Sequence, residues 1–171
     1  MLGFGVFWKE RKSAVNDPIL WLRLVHILSA TVLFGTGLGI AFFMWRADRS
    51  HDVAFIAATA HQVVIADWIF TATAVVIQPL TGVILIVLVG HDPWTPWLIA
   101  TYVLYGVAGA CWLPVVWLQL RMATLARLAH ERRQPLPALY RHYMRLWFLL
   151  GWPAFSAVIA IYILMVFRST F

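Results

Sequence analysis

Charged residues are scarce in this chain of 171 residues, at 12% of the total, and cysteine is nearly absent. Ordinary soluble domains carry about a quarter charged residues, so the scarcity excludes most soluble folds. The single cysteine, Cys111, has no partner for an internal disulfide and indicates no redox compartment. Apolar residues make up 63% of the chain, ten of them tryptophans, and the mean hydropathy is +0.82. This composition is typical of an integral membrane protein.

Acidic residues are fewer than basic ones, seven against thirteen, which gives a net charge of +6. The two glutamates, Glu10 and Glu131, lie in basic stretches, which argues against hydrolysis by a pair of carboxylates. The chain also lacks a phosphate-binding glycine loop and the motifs HExxH, CxxC and GxSxG. Its basic residues cluster between apolar runs, a pattern that predicts a lipid bilayer as partner and no nucleic acid. Whether the protein is an enzyme stays open.

Four apolar runs are long enough to cross a bilayer, which takes about 20 helical residues. They predict an all-α polytopic membrane protein, a bundle of four transmembrane helices forming one membrane domain over residues 1–171. An interfacial N-terminal segment is expected over 1–17, and the spans over about 18–45, 64–89, 96–121 and 141–167. Asp17 offers a helix cap before Pro18. Pro79 requires a neighbouring helix to satisfy the carbonyl group that it frees.

The distribution of Lys and Arg predicts the orientation of the bundle. With four spans, both termini and the loop over 90–96, which has no Lys or Arg, share one side of the membrane. The opposite side holds most of the basic residues, namely Arg46, Arg49, Arg127, Arg132, Arg133 and Arg141, with Arg121 and Arg145 at the span ends. Basic loops favour the cytoplasmic side, so both termini are expected outside. The N-terminal cluster of Lys9, Arg11 and Lys12 points the other way.

Charged side chains within the spans are candidates for function, because each costs at least a few kcal/mol in the hydrocarbon. Arg23, Asp67 and Arg121 are such residues. Asp67 and Arg121 are predicted near one end of neighbouring helices, where they could form an ion pair. With Gln78 they make a predicted buried polar track. One interpretation is a lock between two helices; the other is a proton relay or a pocket for an anionic headgroup.

His26 is the one histidine placed well inside a predicted span, one turn after Arg23. A neutral imidazole there can bind the iron of haem b while Arg23 pairs with a propionate. The alternative is a histidine that is hydrogen-bonded to a neighbouring helix. The histidines on the basic side are too far along the bundle to be a second axial ligand, and His91 lies in the outer loop.

His61 and His142 form a second-choice site. They are expected at comparable height on the basic side, His61 on the leading part of the second helix and His142 at the start of the fourth. Ligation of haem or a metal by this pair is one interpretation, and solvated interfacial histidines are the other. No dedicated metal centre is predicted.

Three stretches resemble a family of small bacterial integral membrane proteins, domain of unknown function 2269. They are WLRLVHILSA over 21–30 with FGTG over 34–37, ADWIFT over 66–71 with QPLTG over 78–82, and WLPVVWLQLR over 112–121. The resemblance runs from about 21 to 166. It implies four spans in the bacterial inner (cytoplasmic) membrane, and no established activity.

The basic-x-x-His opening of the first helix is similar, more distantly, to HemJ-type protoporphyrinogen oxidases and to CopD-like membrane proteins. In the HemJ type the matching histidine is a haem ligand, a role that carries over to His26 alone. The lysine of that family's third helix has no counterpart, since Thr101, Tyr102 and Tyr105 occupy this region. The similarity therefore does not extend to protoporphyrinogen oxidation.

Two functional hypotheses follow. The first is a b-type haem protein of the membrane that exchanges electrons with a quinone or another membrane redox protein. The second is a non-catalytic accessory subunit, assembly factor or small transporter component. Four helices enclose little space for a channel, so a transporter would have to form a homo-oligomer. Gly35 and Gly39 would permit such a contact, or packing within the chain.

Overall fold

The computed structural model describes residues 17–167, which form four long helices and no strand. These are α1 (Pro18–Ser50), α2 (Val53–Val89), α3 (Pro96–Glu131) and α4 (Ala138–Phe167). Each is long and apolar enough to cross a membrane, which confirms the predicted fold class. Apart from Asp17, the predicted interfacial segment over 1–17 lies outside the described residues.

The helix ends follow local sequence signals. The carboxylate of Asp17 accepts from the amide of Ile19, with Pro18 at the start of α1. Asp52 caps α2 in the same way, accepting from the amide of Ala54. α2 ends at Val89 and is capped by Gly90, whose φ of 76° is costly for residues with a side chain.

All four helices are longer than the predicted spans, and each is extended at the end of the bundle that carries the loops at 51–52 and 132–137. α3, with 36 residues, is roughly 54 Å long against a hydrocarbon thickness of about 30 Å. α2 begins at Val53 and not near residue 64, so the weakly apolar stretch before the predicted span belongs to the same helix. A part of each long helix therefore lies outside the hydrocarbon.

The two ends of the bundle differ in their interiors. We call the end with the loops at 51–52 and 132–137 the basic end, and the end with Pro18, the loop at 90–95 and Phe167 the terminal end. At the basic end all four helices contribute to one apolar core. Its largest fully buried side chains are Met44, Ile56, Met122 and Tyr140.

Two interruptions shape α2. Residues Asp67–Thr71 form a π-helical turn, which the sequence did not predict. Further along, Pro79 has no N–H to give to the carbonyl group of Val75, four residues earlier. The hydroxyl group of Tyr105 on α3 donates to that carbonyl oxygen instead. The requirement that a neighbouring helix satisfies the freed carbonyl group is confirmed.

Contacts between α1 and α4 close the bundle. The ring of Phe34 meets the rings of Phe155 and Tyr162 edge to face, with centroids 5.8 and 5.9 Å apart. Gly37 makes room for Phe155, since a Cβ atom there would lie 3.2 Å from its Cζ atom. Gly35 and Gly39 have no such neighbour within the described chain. Packing within the chain therefore uses Gly37, and a role for the other two in a homo-oligomer stays a prediction.

Candidate functional site

His26 lies half-buried between α1 and α2 in the terminal half of the bundle. Its Nδ1 atom is 2.7 Å from the hydroxyl oxygen of Thr81, a buried residue on α2. One turn along α1, the hydroxyl group of Ser29 donates to Oε1 of Gln78 at 2.6 Å. Gly82 keeps α2 close, because a Cβ atom there would lie 3.4 Å from the imidazole Cε1 atom. These four polar side chains, which we call the histidine network, connect α1 to α2.

The contacts of Thr81 indicate which imidazole nitrogen carries the proton. The Thr81 hydroxyl group lies 2.8 Å from the carbonyl oxygen of Ile77, to which it donates. Having one proton, the hydroxyl group then accepts from the N–H at Nδ1 of His26. In this arrangement the Nε2 atom of a neutral His26 keeps its lone pair.

Arg23 lies one turn before His26, toward the terminal end, and its side chain is exposed. Residues three apart share a face of a helix, so Arg23 and His26 lie on the same side of α1. The other described histidines lie far from His26 or contact other side chains. His91 in the terminal loop packs its ring against Trp97, and His61 on α2 is roughly 30 Å from Thr81 along the helix axis.

Asp67 is the most deeply buried acidic side chain of the described chain, with 4% of its surface exposed. Its Oδ1 atom accepts from Nε1 of Trp112 at 3.4 Å. Gln119, also 4% exposed, bridges two partners when its amide group is oriented to suit both. It then donates to Oδ2 of Asp67 at 3.1 Å and accepts from Nε1 of Trp147 at 3.3 Å. We call Asp67, Trp112, Gln119 and Trp147 the aspartate cluster.

The π-helical turn begins at Asp67 and ends at Thr71, so the carboxyl group lies at the point where α2 is wider than an α-helix. The hydroxyl group of Thr71 is buried beside the carboxyl group without reaching full hydrogen-bond geometry. Wide turns of this kind are frequent at functional sites. Every side chain that donates to Asp67 is electrically neutral, so the cluster holds a carboxyl group without a fixed cation.

The predicted polar track is not continuous in the structure. Arg121 is exposed on α3, where its guanidinium group stacks on Trp117 at 5.5 Å from the ring centroid. The ion pair that Arg121 and Asp67 could form is absent, and the one ion pair within residues 17–167 joins Arg127 to Glu131. Gln78 belongs to the histidine network, whereas Asp67 belongs to the aspartate cluster.

The structure gives His61 and His142 different neighbours. His61 is exposed in a groove between α2 and α3, and His142 is exposed on α4 with its ring near that of Tyr143. Within residues 17–167, no three side chains of His, Cys, Asp or Glu come together as a metal site. Of the predicted site residues, the structure thus connects His26 with Gln78 through contacts between α1 and α2. The remaining ones do not come together in one site; they are Arg23, His61, Asp67, Arg121 and His142.

A family model described as "Predicted integral membrane protein (DUF2269)" matches residues 20–169. The chain belongs to this family. No curated protein and no solved structure matches it. The DUF2269 match covers all four helices, including both polar sites, and establishes a multi-pass integral membrane protein that sits in a lipid bilayer.

Sequence reasoning missed several members of the two polar sites in this DUF2269 protein. Thr81, Ser29, Gln119 and the two tryptophans carry no charge, so no desolvation cost singles them out. One signal was available for α2: Asp67, Thr71, Gln78 and Thr81 recur at spacings of three, four and seven residues, which place them on one helical face.

Proposed function

We propose that this protein is a small b-haem redox protein of the bacterial inner membrane, with His26 as an axial ligand of the iron. The observation that carries the proposal is the hydrogen bond between Nδ1 of His26 and Thr81. Ligating histidines ordinarily donate their other ring nitrogen to an oxygen, which fixes the tautomer and the ring orientation. The distant similarity to HemJ-type proteins concerns this same histidine.

The residues present fit one side of a haem. Nε2 of His26 would hold the iron, and Arg23 would pair with a propionate near the terminal end, where water is close. A bound haem would supply one-electron transfer. Thr81 and Gly82 keep the imidazole ring in one orientation, and apolar side chains exposed on α1, such as Ile27 at 60%, offer a surface for the porphyrin edge.

The described chain provides no second histidine at the depth of His26. A second residue to hold the iron would come from a partner protein or a second copy of this chain. The proposal therefore includes a homo-oligomer or a quinone or protein redox partner at this face. It also places the termini on the periplasmic side, because the basic loops favour the cytoplasm.

The visible spectrum of the protein, purified after haem-replete expression, tests the proposal. We expect a Soret band that is lost in His26→Ala and retained in His142→Ala and His61→Ala. The latter two are matched controls, since both histidines are exposed at the basic end. A colourless parent protein would refute haem binding. If the band is lost in His61→Ala or His142→Ala but kept in His26→Ala, the residue that holds the iron is a histidine of the basic end.

A second candidate is a non-catalytic accessory subunit, assembly factor or transporter component. The observation that favours it is that both polar sites connect neighbouring helices by hydrogen bonds, which is what a purely structural role requires. This function predicts a colourless protein, and a change in assembly or transport for Asp67→Ala without any chromophore. A Soret band dependent on His26 would exclude it.

A further inference from the structure

A groove of about 430 Å³ runs between α2 and α3 at the basic end. Four alanines form part of its walls, Ala54, Ala57 and Ala58 on α2 and Ala123 on α3. They leave the two helices unfilled on this side, while the core behind them is closed by Ala60 and Met122, which are at most 2% exposed. The groove is therefore a surface feature of a well-packed region and not a defect of the core.

The lining changes in polarity along the groove. Its inner end is formed by Val64 and Leu120, next to the stretch over 93–120, which contains no charged residue. Its outer end is formed by His61, Thr124, Arg127 and His130, and no lining residue is acidic. From Leu120 to His130 the groove covers roughly 15 Å along α3. It therefore begins at the edge of the hydrocarbon and extends through the headgroup layer.

The donors at the outer end are available to a ligand. Arg127 contacts Glu131 through Nη1 at 2.9 Å, and both side chains are more than half exposed. A guanidinium group carries five N–H donors, so this contact leaves most of them unused. Each histidine donates at least one N–H group when neutral. A long arginine side chain can also turn back toward the bilayer while its stem covers apolar surface.

We propose that this groove binds a phospholipid with an anionic headgroup. The phosphate accepts from Arg127 and the two histidines, and the upper part of an acyl chain lies against Val64 and Leu120. The lining changes from apolar to basic along the groove, and a phospholipid changes from acyl chain to charged headgroup in the same direction at the same depth. Basic pockets between helices near the membrane surface suit such headgroups.

Native mass spectrometry of the protein with added phosphatidylglycerol or phosphatidylcholine tests the proposal. We expect phosphatidylglycerol to be retained preferentially. Arg127→Gln should weaken its binding about fivefold, since a basic residue near an anionic surface contributes about 1 kcal/mol. Ala57→Leu should abolish retention by filling the groove without removing a charge. Arg141→Gln, an exposed arginine of α4 at the same end, is the matched control and should bind as the parent does.

Several outcomes would overturn the proposal. Equal retention of the two lipids would show that the negative charge of the headgroup is not recognised. Equal losses in Arg127→Gln and Arg141→Gln would show general attraction to the basic end. Displacement of the lipid by inorganic phosphate alone would show that the apolar walls contribute nothing to binding. A dimer that Ala57→Leu disrupts without affecting lipid would assign the groove to a second copy. The melting temperature of each variant separates these results from a loss of folding.

Discussion

At the basic end of the bundle, Met44, Ile56, Met122 and Tyr140 are buried in an apolar core, whereas at the terminal end the side chains between α1 and α2 are polar. The difference follows from the solvent outside. Beyond the hydrocarbon, water drives apolar side chains together. Within it, lipid tails are as apolar as leucine, so helices associate through close packing and hydrogen bonds. One bundle thus uses two kinds of cohesion along its length.

The aspartate cluster lies between these two regions. Trp112 lies nine residues before Arg121 on α3, which places this end of the cluster roughly 14 Å inside the uncharged part of the helix. Its hydrogen bonds connect α2, α3 and α4, and the apolar core begins directly beyond it. Substitutions in the three regions should therefore differ in the size of their effect.

The largest effect is expected in the apolar core. Ile56→Ala should lower the free energy of unfolding by about 2–5 kcal/mol, because Ile56 is 1% exposed and its removal leaves a cavity. Ile84→Ala on the same helix, where the side chain is 46% exposed, is the control and should change stability by about 0.5 kcal/mol or less. Reversible unfolding in mixed micelles measures both. Similar losses in the two variants would contradict the assignment of the core to the basic end.

The next effect is expected in the aspartate cluster. Gln119→Leu leaves the carboxyl group of Asp67 without one donor and Nε1 of Trp147 without an acceptor, and should cost about 1–3 kcal/mol. Gln62→Leu, at an exposed position of α2, is the matched control. The same unfolding assay compares them. If Gln119→Leu is as stable as Gln62→Leu, the cluster contributes nothing to cohesion.

A smaller effect is expected where α3 supports the proline of α2. Tyr105→Phe removes the donor to the carbonyl group of Val75 and should cost about 0.5–1.5 kcal/mol. Pro79→Ala restores a main-chain N–H to that carbonyl group, so Tyr105→Phe should cost less in the Pro79→Ala background. A double-mutant cycle measures this coupling, with Tyr102→Phe, 45% exposed, as control. Additive effects of the two substitutions would show that the proline and the tyrosine act independently.

The smallest effect on stability is expected in the histidine network. Thr81→Val removes the oxygen that faces Nδ1 of His26 and should cost only about 0.6 kcal/mol, the average for hydrogen bonds between membrane helices. Thr31→Val is the control, since Thr31 is exposed and bonds only within α1. Unfolding measurements give the cost, and a loss above that of Ile56→Ala would contradict the proposed order.

Much of the fold was predictable from the sequence because its signals are local. Asp17 and Pro18 specify the start of α1, and the apolar runs specify four helices. The carbonyl group freed by Pro79 was predictable too, but its partner was not, since no local rule brings Tyr105 beside Val75. The π-helical turn at Asp67 has no signature in hydropathy, which is insensitive to one added residue per turn.

The polar sites were predictable only in part, because partners in a bundle depend on rotation about the helix axis. Gln119 and Arg121 are two residues apart, which separates them by about 200° around α3, so only one of them can face Asp67. Hydropathy places Gln119 and Arg121 at a similar depth. The charge of Arg121 made it the predicted partner of Asp67. In the structure the uncharged glutamine faces inward, and the arginine stacks on Trp117 at the surface.

In the terminal half, the imidazole of His26 is held with a free lone pair at Nε2. The protonation state of its two ring nitrogens tests this most directly. Nitrogen NMR of the haem-free protein in bilayers, with labelled histidine and His26→Ala to assign the signal, distinguishes the two ring nitrogens. The contacts with Thr81 predict a proton at Nδ1. Because a charged ring is costly within the hydrocarbon, we expect a neutral ring that is unprotonated at Nε2. A proton at Nε2 of His26, with Nδ1 accepting from Thr81, would contradict the account.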